Sequence, residues 1–323
     1  MPLELPNSDA AWIALGERVF FEYPVHADPN LELVARLDGG LRQVGFHFVQ
    51  GEVLGLRVFA NEQGVARVGP SCAQCHSSVD DSGVVTAVLA NRAMDVGAAR
   101  LMAAGHTSGE LPPEIDSTLL KDLARLGPGR TDVLQDDLFN PFAIPDFGGI
   151  ADFPYLQHNG NWLNTGVATL AIRCETLFIT SLGEQARIPR VLSWALAMYL
   201  RSLPAPAPLD SPPSNLAAAG EQVFNASGCG TCHTPPLYTS DRRVSIETIG
   251  TDPAALSSSA RRTGFVRIPS LRGVGRTAPY FHHGAIEDLE MLFDPARTEA
   301  GHRFGFDLGA DDRAALIAFL RSI

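Results

Sequence analysis

Nothing in this sequence approaches the roughly 18 consecutive apolar residues that span a membrane, so no transmembrane segment is expected. A basic block is missing too. Lys and Arg number 25 against 36 Asp and Glu, a net charge of −11, and a surface of that sign does not track phosphates, so nucleic acid is not an expected partner. An acidic surface instead favours a basic partner protein and keeps the molecule soluble. The opening "MPLELPNSDA" has neither the basic nor the apolar region of a secretory leader. Cysteine is sparse, with five residues in 323. Charged residues make up 19% and hydrophobic ones 45%, a globular balance in a chain long enough for two ordinary domains.

Four of the five cysteines fall into two copies of one pattern. "SCAQCHSS" holds Cys72, Cys75 and His76, and "GCGTCHTP" holds Cys229, Cys232 and His233. C-x-x-C-H is the attachment signature of c-type haem: two thioethers fix the porphyrin edge and the adjacent histidine reaches the iron. A structural zinc needs four ligands where each motif offers three, and a thioredoxin-like pair needs a βαβ context that neither motif has. Two covalent haems are therefore expected, with His76, His233 and a further histidine discussed below as iron ligands. The remaining Cys174 is expected to be a small buried hydrophobe. Haem is attached outside the cytoplasm, so the protein is expected to be periplasmic, its export leader already removed.

The motifs sit in an internal repeat. "GERVF" (16–20) and "GEQVF" (220–224) open the halves; "SWALAMYLRSL" (193–203) and "RAALIAFLRSI" (313–323) close them. Leu192, Leu196, Tyr199, Leu200 and Leu203 make a stripe at helical spacing, as do Leu316, Phe319, Leu320 and Ile323. Between them "PAPAPLDSPPSN" (204–215) is too proline-rich to be helical. The expected domains are 1–208 and 209–323. The first carries an insertion, roughly 24–70, whose alternating apolar residues and glycines predict a small β-hairpin. The long middle, 106–190, is rich in Gly, Pro and Asn, as functional loops often are. The fold class expected is all-α: two cytochrome c-like domains, each holding one haem, with a hairpin inserted in the first.

"RIPSLRGVGRTAPYFHHGAIEDLEMLF" (267–293) resembles the C-terminal signature of the bacterial dihaem cytochrome c peroxidase superfamily, which includes the branch that matures methylamine dehydrogenase. The resemblance implies that the N-terminal haem is the reactive one, that the C-terminal haem relays electrons, and that the two face a shared interface. It also implies a calcium ion between them; no carboxylate cluster marks it, leaving backbone carbonyls as ligands. Arg272 and Arg276 are candidate propionate partners, since guanidinium pairs carboxylates well.

The departures are informative. Where the peroxidases have a methionine ligand past the Thr-Leu-Glu-Glu stretch, and the maturation branch a tyrosine, this chain has Ala296; Met291 is out of register. "AGHRFGFDL" resembles a G-H-x-F-G stretch of the rubber-oxygenase branch, as do "GPGR" (127–130) and "NGN" (159–161), which implies His302 as the second ligand of the C-terminal haem. "YLQHNGNW" (155–162) resembles the peroxidase stretch bearing the inter-haem tryptophan, with His158 in its place and Trp162 as an alternative bridge. The family's distal glutamate falls near Phe178; Glu175 is close but out of register. Moving a proton between peroxide oxygens calls for a positioned acid/base, and Glu175, His158 and His106 are the candidates. An apolar pocket would favour O₂ instead, and "LFNPFAIPDF" (138–147) could line one. His26, His47 and His106 read most simply as surface or satisfied histidines, and Trp12 and Trp194 as core packing. His282 and His283 are expected to shape the signature turn. Three activities stay open: a peroxidase-like oxidoreductase using H₂O₂ and a redox partner protein or small electron donor, an O₂-dependent oxygenase, and a dihaem electron carrier.

Overall fold

Ser8 begins the first helix by accepting a hydrogen bond from the Ala11 amide, an N-cap that satisfies one of the orphan donors of a helix start. In the computed structural model this helix runs Asp9–Glu22, and the residues described throughout are 5–106, 117–132, 139–181, 187–253, 256 and 263–323. By contacts the chain forms two units, one of residues 1–147 and 166–203, the other of residues 148–165 and 204–323.

In the first unit, Asp9–Glu22 packs on the closing helix Arg190–Ser202. A side chain at Gly16 would run into the Ala195 carbonyl and the Tyr199 Cβ, so only glycine lets the two backbones approach this closely. One turn on, Phe20 is fully buried, 5.4 Å from the Tyr199 ring. The expected stripe is buried at Leu196, Tyr199 and Leu200. Trp194, expected in the core, is instead 39% exposed, because it falls on the outer side of that helix. Cys174 is buried in the helix Val167–Thr176. The insertion holds an antiparallel hairpin, Leu56–Ala60 with Ala66–Pro70. A second cluster of Leu31, Val34, Val44, Phe46, Met94 and Ile144 packs beneath it.

The second unit repeats the helix pair. Ser214–Ala226 crosses Ala310–Ser322, and a side chain at Gly220 would strike the Ala315 carbonyl and the Phe319 Cβ. Phe224 is buried 5.4 Å from the Phe319 ring. The proline-rich stretch before Ser214 is tied down: the Leu209 and Asp210 amides both donate to the Arg321 carbonyl, and Gly273 donates to that of Ile323. These bonds satisfy carbonyls that a helix end leaves without partners.

Residues 148–165 join the second unit through a hairpin, Tyr155–Leu156 with Trp162–Leu163. Its turn offers three carbonyls to the strand pair Arg243–Ser245 and Phe265–Arg267 and the residues beside it. The His158 carbonyl takes the Arg267 amide, Asn159 takes the Thr263 hydroxyl and Gly160 takes the Arg243 guanidinium.

The all-α expectation is too simple: helix makes up only about 40% of the chain, and six two-stranded ladders lie among the described residues. Short loop-closing ladders carry no hydrophobic periodicity long enough to announce them. Among the described residues no helix is long and apolar enough to cross a membrane.

Candidate haem sites

The first motif lies on one turn of helix, and the second opens on one. Cys72–His76 is a short α-helix entered from the hairpin strand Ala66–Pro70, and the Ser77 hydroxyl donates back to the Ala73 carbonyl. Cys229–Thr231 is a 3₁₀ turn launched by Gly228 at φ 74°, and the His233 amide closes it on the Cys229 carbonyl at 2.9 Å.

Both motif histidines are oriented by a proline carbonyl. His76 Nδ1 lies 3.0 Å from the Pro145 oxygen. His233 Nδ1 lies 3.1 Å from the oxygens of both Pro269 and Tyr238. A carbonyl can only accept, so Nδ1 carries the proton and Nε2 keeps its lone pair free for a metal. Burial holds both rings neutral: it pulls His76 down to about 4 and also lowers His233, with the carbonyl bonds pulling the other way. A neutral imidazole is the ligand form.

The motif thiols are shifted by their surroundings. Burial pushes Cys72 and Cys75 up to about 12 and raises Cys229. Cys174, likewise raised to about 12 by burial, is near enough to Cys72 to add to that thiol's shift. Among the described residues no group of three or more His, Cys, Asp and Glu could hold a metal ion, so the calcium the resemblance implies would draw on backbone carbonyls.

The two sites diverge beyond the motif histidine. Phe147 stacks on His76, ring centroids 4.3 Å apart and planes at 26°. His302 faces His233 with centroids 6.4 Å apart and planes at 61°. Two imidazoles sharing one metal through bonds of about 2 Å stand roughly 6 Å apart by centroid. His302 is half-buried, its Nδ1 has no hydrogen-bond partner among the described residues, and burial, then His233, brings it down to about 4. Its backbone is left-handed, φ 46°, with its amide donating to the Ile249 carbonyl at 2.8 Å.

The other sequence-derived residues are scattered. Glu175 is pinned between Arg187 and Arg190 at 3.5 and 3.6 Å. Phe178, in the register of the family's glutamate, is buried against Tyr23. His158 and Trp162 cluster with the second unit and Glu175 with the first, so the three candidates are not gathered within either unit. His26 pairs with Asp28 at 3.6 Å. His47 is lowered by burial against an opposing hydrogen bond to Asn91. Met291 is 36% exposed. His282 and His283 meet edge to face within the signature turn, ring centroids 4.5 Å apart. Leu138 and residues 107–116 and 182–186 of the long middle lie outside the described residues.

The arginines differ from expectation in their engagement. Arg272 is bound to Asp152 at 2.7 Å and Arg276 to the Ala207 and Pro208 carbonyls. Two that sequence reasoning missed stand out. Arg267 has Nε and Nη1 buried without a hydrogen-bond partner among the described residues; its guanidinium lies 4.5 Å from the Phe153 ring centroid, and burial lowers it to about 10. It is two residues before Pro269, whose carbonyl orients His233. A buried cation lacking a counter-charge is costly, and a haem propionate is an anion that fits there. Its place just upstream of the Pro269 signature was the only cue in the sequence. Arg297 also has Nε and Nη1 buried and unpartnered. Half-buried motif cysteines, neutral histidines with Nε2 free and a guanidinium without a hydrogen-bond partner among the described residues beside the signature together fit c-type haem.

Comparison with known proteins bears out the resemblance. Residues 217–323, within the second unit, match the cytochrome c family model. The chain is similar to the methylamine utilization protein MauG of Methylophilus methylotrophus, 25% identical over 301 residues that cover 84% of this chain and 81% of that protein. This is consistent with the dihaem cytochrome c peroxidase superfamily. Two solved structures align over the whole chain: a MauG-like protein associated with microbial copper homeostasis (14% identity, TM-score 0.47, 90% of that chain) and the hydrazine synthase of Kuenenia stuttgartiensis (15% identity, TM-score 0.48, 95% of that chain).

Proposed function

We propose that the protein is an exported, dihaem, peroxidase-like oxidoreductase in which the His76 haem reacts with H₂O₂ and the His233 haem relays electrons from a redox partner protein or small donor. Each haem belongs to one half of the chain, 1–208 or 209–323, with residues 148–165 contributed to the second. Bound c-type haem supplies the iron at which an oxidant is reduced and through which electrons pass.

One observation carries this reading. The halves share a register in which Gly16 answers to Gly220, Ala195 to Ala315 and Tyr199 to Phe319. Counted back from Ala195 as His302 is from Ala315, the sequence position is Leu182, which lies outside the described residues. A leucine cannot ligate, so on this reading the first haem keeps a position for an oxidant while the second is closed by His233 and His302. Within each site the chain's work is positional. Pro145 and Pro269 carbonyls fix the ligating tautomer, burial keeps the imidazoles neutral, and Arg267 neutralises a propionate.

A second reading has its own support. Glu175 is held by two arginines, Phe178 replaces the acid, and Phe147 lies on His76, an apolar and proton-poor setting that favours O₂ over peroxide. The EPR spectrum of the oxidised protein, before and after one equivalent of H₂O₂, separates these. A high-spin signal beside a low-spin one, consumed by peroxide, is expected. A high-spin signal indifferent to peroxide but an O₂ complex on reduction favours the oxygenase, and two low-spin haems inert to both favour a carrier.

A further inference from the structure

A histidine in the left-handed region is uncommon and persists only where its surroundings over-determine it. His302, at φ 46°, has such surroundings. The preceding Gly301, at φ 102°, lies against Thr251, where an added side chain would press at 3.1 Å. The His302 amide is held by the Ile249 carbonyl. The carbonyl side of the turn is held by one residue. Arg297, 6% exposed, donates from Nη2 to the Gly301 oxygen at 2.6 Å and to the His302 oxygen at 3.3 Å.

Arg297 is itself fixed. Its guanidinium carbon lies 5.2 Å from the Phe281 ring centroid and 5.1 Å from that of Phe306, within range for cation–π attraction to both. The Ala296 and Arg297 amides are turned back onto Asp294. Phe281 belongs to the "APYFHHG" signature and Phe306 to the "GHRFGF" stretch, so Arg297 joins two motifs that are separate in sequence.

We infer that Arg297 is a positioning residue for His302: gripped by Phe281 and Phe306, its guanidinium holds the 301–302 carbonyls in the left-handed turn that presents the imidazole to His233. The inference rests on the reading of His302 as second ligand of the His233 haem. Groups that orient a metal ligand typically change its affinity by roughly 10–100-fold when removed. Lysine keeps the charge but loses the planar guanidinium that lies between Phe281 and Phe306.

The test uses the full-length holoprotein and low-temperature EPR of wild type, Arg297→Gln, Arg297→Lys and His302→Ala, each titrated with free imidazole. His302→Ala is expected to convert the low-spin signal of the second haem to high-spin, with imidazole restoring low spin. Arg297→Gln is expected to weaken His302 ligation by about tenfold or more, giving a mixed-spin haem that imidazole drives back to low spin at concentrations that leave wild type unchanged. Arg297→Lys is expected to fall between. If His302→Ala loses the low-spin signal while both Arg297 variants keep wild-type g-values, the ligand reading stands and the positioning role is overturned. If His302→Ala keeps the signal, the ligand reading itself is overturned, and the positioning role with it. Should Arg297→Gln fail to yield folded holoprotein, Arg297→Lys decides: an unchanged spectrum overturns the inference.

Discussion

The two units use the same small set of parts around their motif histidines. Each has a glycine where two helices cross, a phenylalanine one turn later, and a proline carbonyl on the histidine Nδ1. What stands next to the histidine differs: a phenylalanine stacked at 4.3 Å on His76, a second imidazole 6.4 Å from His233. A repeated scaffold can therefore place two motif histidines alike and give each a different aromatic neighbour.

Four experiments press on that comparison. The largest effect is expected at the crossing glycines. Gly16→Val and Gly220→Val each force a side chain into a carbonyl, and overpacking against backbone is expected to cost ~3 kcal/mol or more. Guanidinium denaturation should show it for both variants; if either is tolerated, the two crossings are not equivalent. Next comes the asymmetry itself. Leu182→His gives the first unit the histidine that the second has, and it is expected to convert the peroxide-sensitive high-spin EPR signal to low spin and suppress peroxide consumption in a stopped-flow assay. An unchanged spectrum would mean the repeat register does not extend to that residue. Glu175→Gln is then expected to slow peroxide turnover little, because two arginines already occupy the carboxylate; a loss of 10²-fold or more, the scale of general acid catalysis, would restore it as the acid/base. The smallest effect is Arg267→Gln. Removing a buried positive charge favours the oxidised haem, so spectroelectrochemistry should show the second midpoint potential falling, by a shift on the order of 1 kcal/mol. Arg272→Gln, whose partner is Asp152, should move it less.

Much of this was readable from spacing. C-x-x-C-H fits one helical turn, and the repeat places a small residue where helices touch, so the motifs and Gly16 and Gly220 could be found without coordinates. Arg297 could not, since its meaning comes from Phe281 and from a turn four residues on, and neither leaves a periodic trace. The bonds of Arg272 to Asp152 and of Arg276 to the Ala207 and Pro208 carbonyls could not be read from the sequence, because they depend on long-range folding. The short ladders escaped for the same reason: two-residue strands are made by the turns that join them, not by their own composition.

The hairpin at residues 148–165 has a consequence for how the chain can be taken apart. Cutting at the proline-rich stretch looks natural, yet a fragment beginning there would leave behind the His158, Asn159 and Gly160 carbonyls that the strand pair uses, and the Asp152 that Arg272 holds. The C-terminal piece alone is therefore expected to be a poor autonomous folder. Swapping halves between related proteins would demand that the hairpin travel with the second half, although the gene encodes it inside the first.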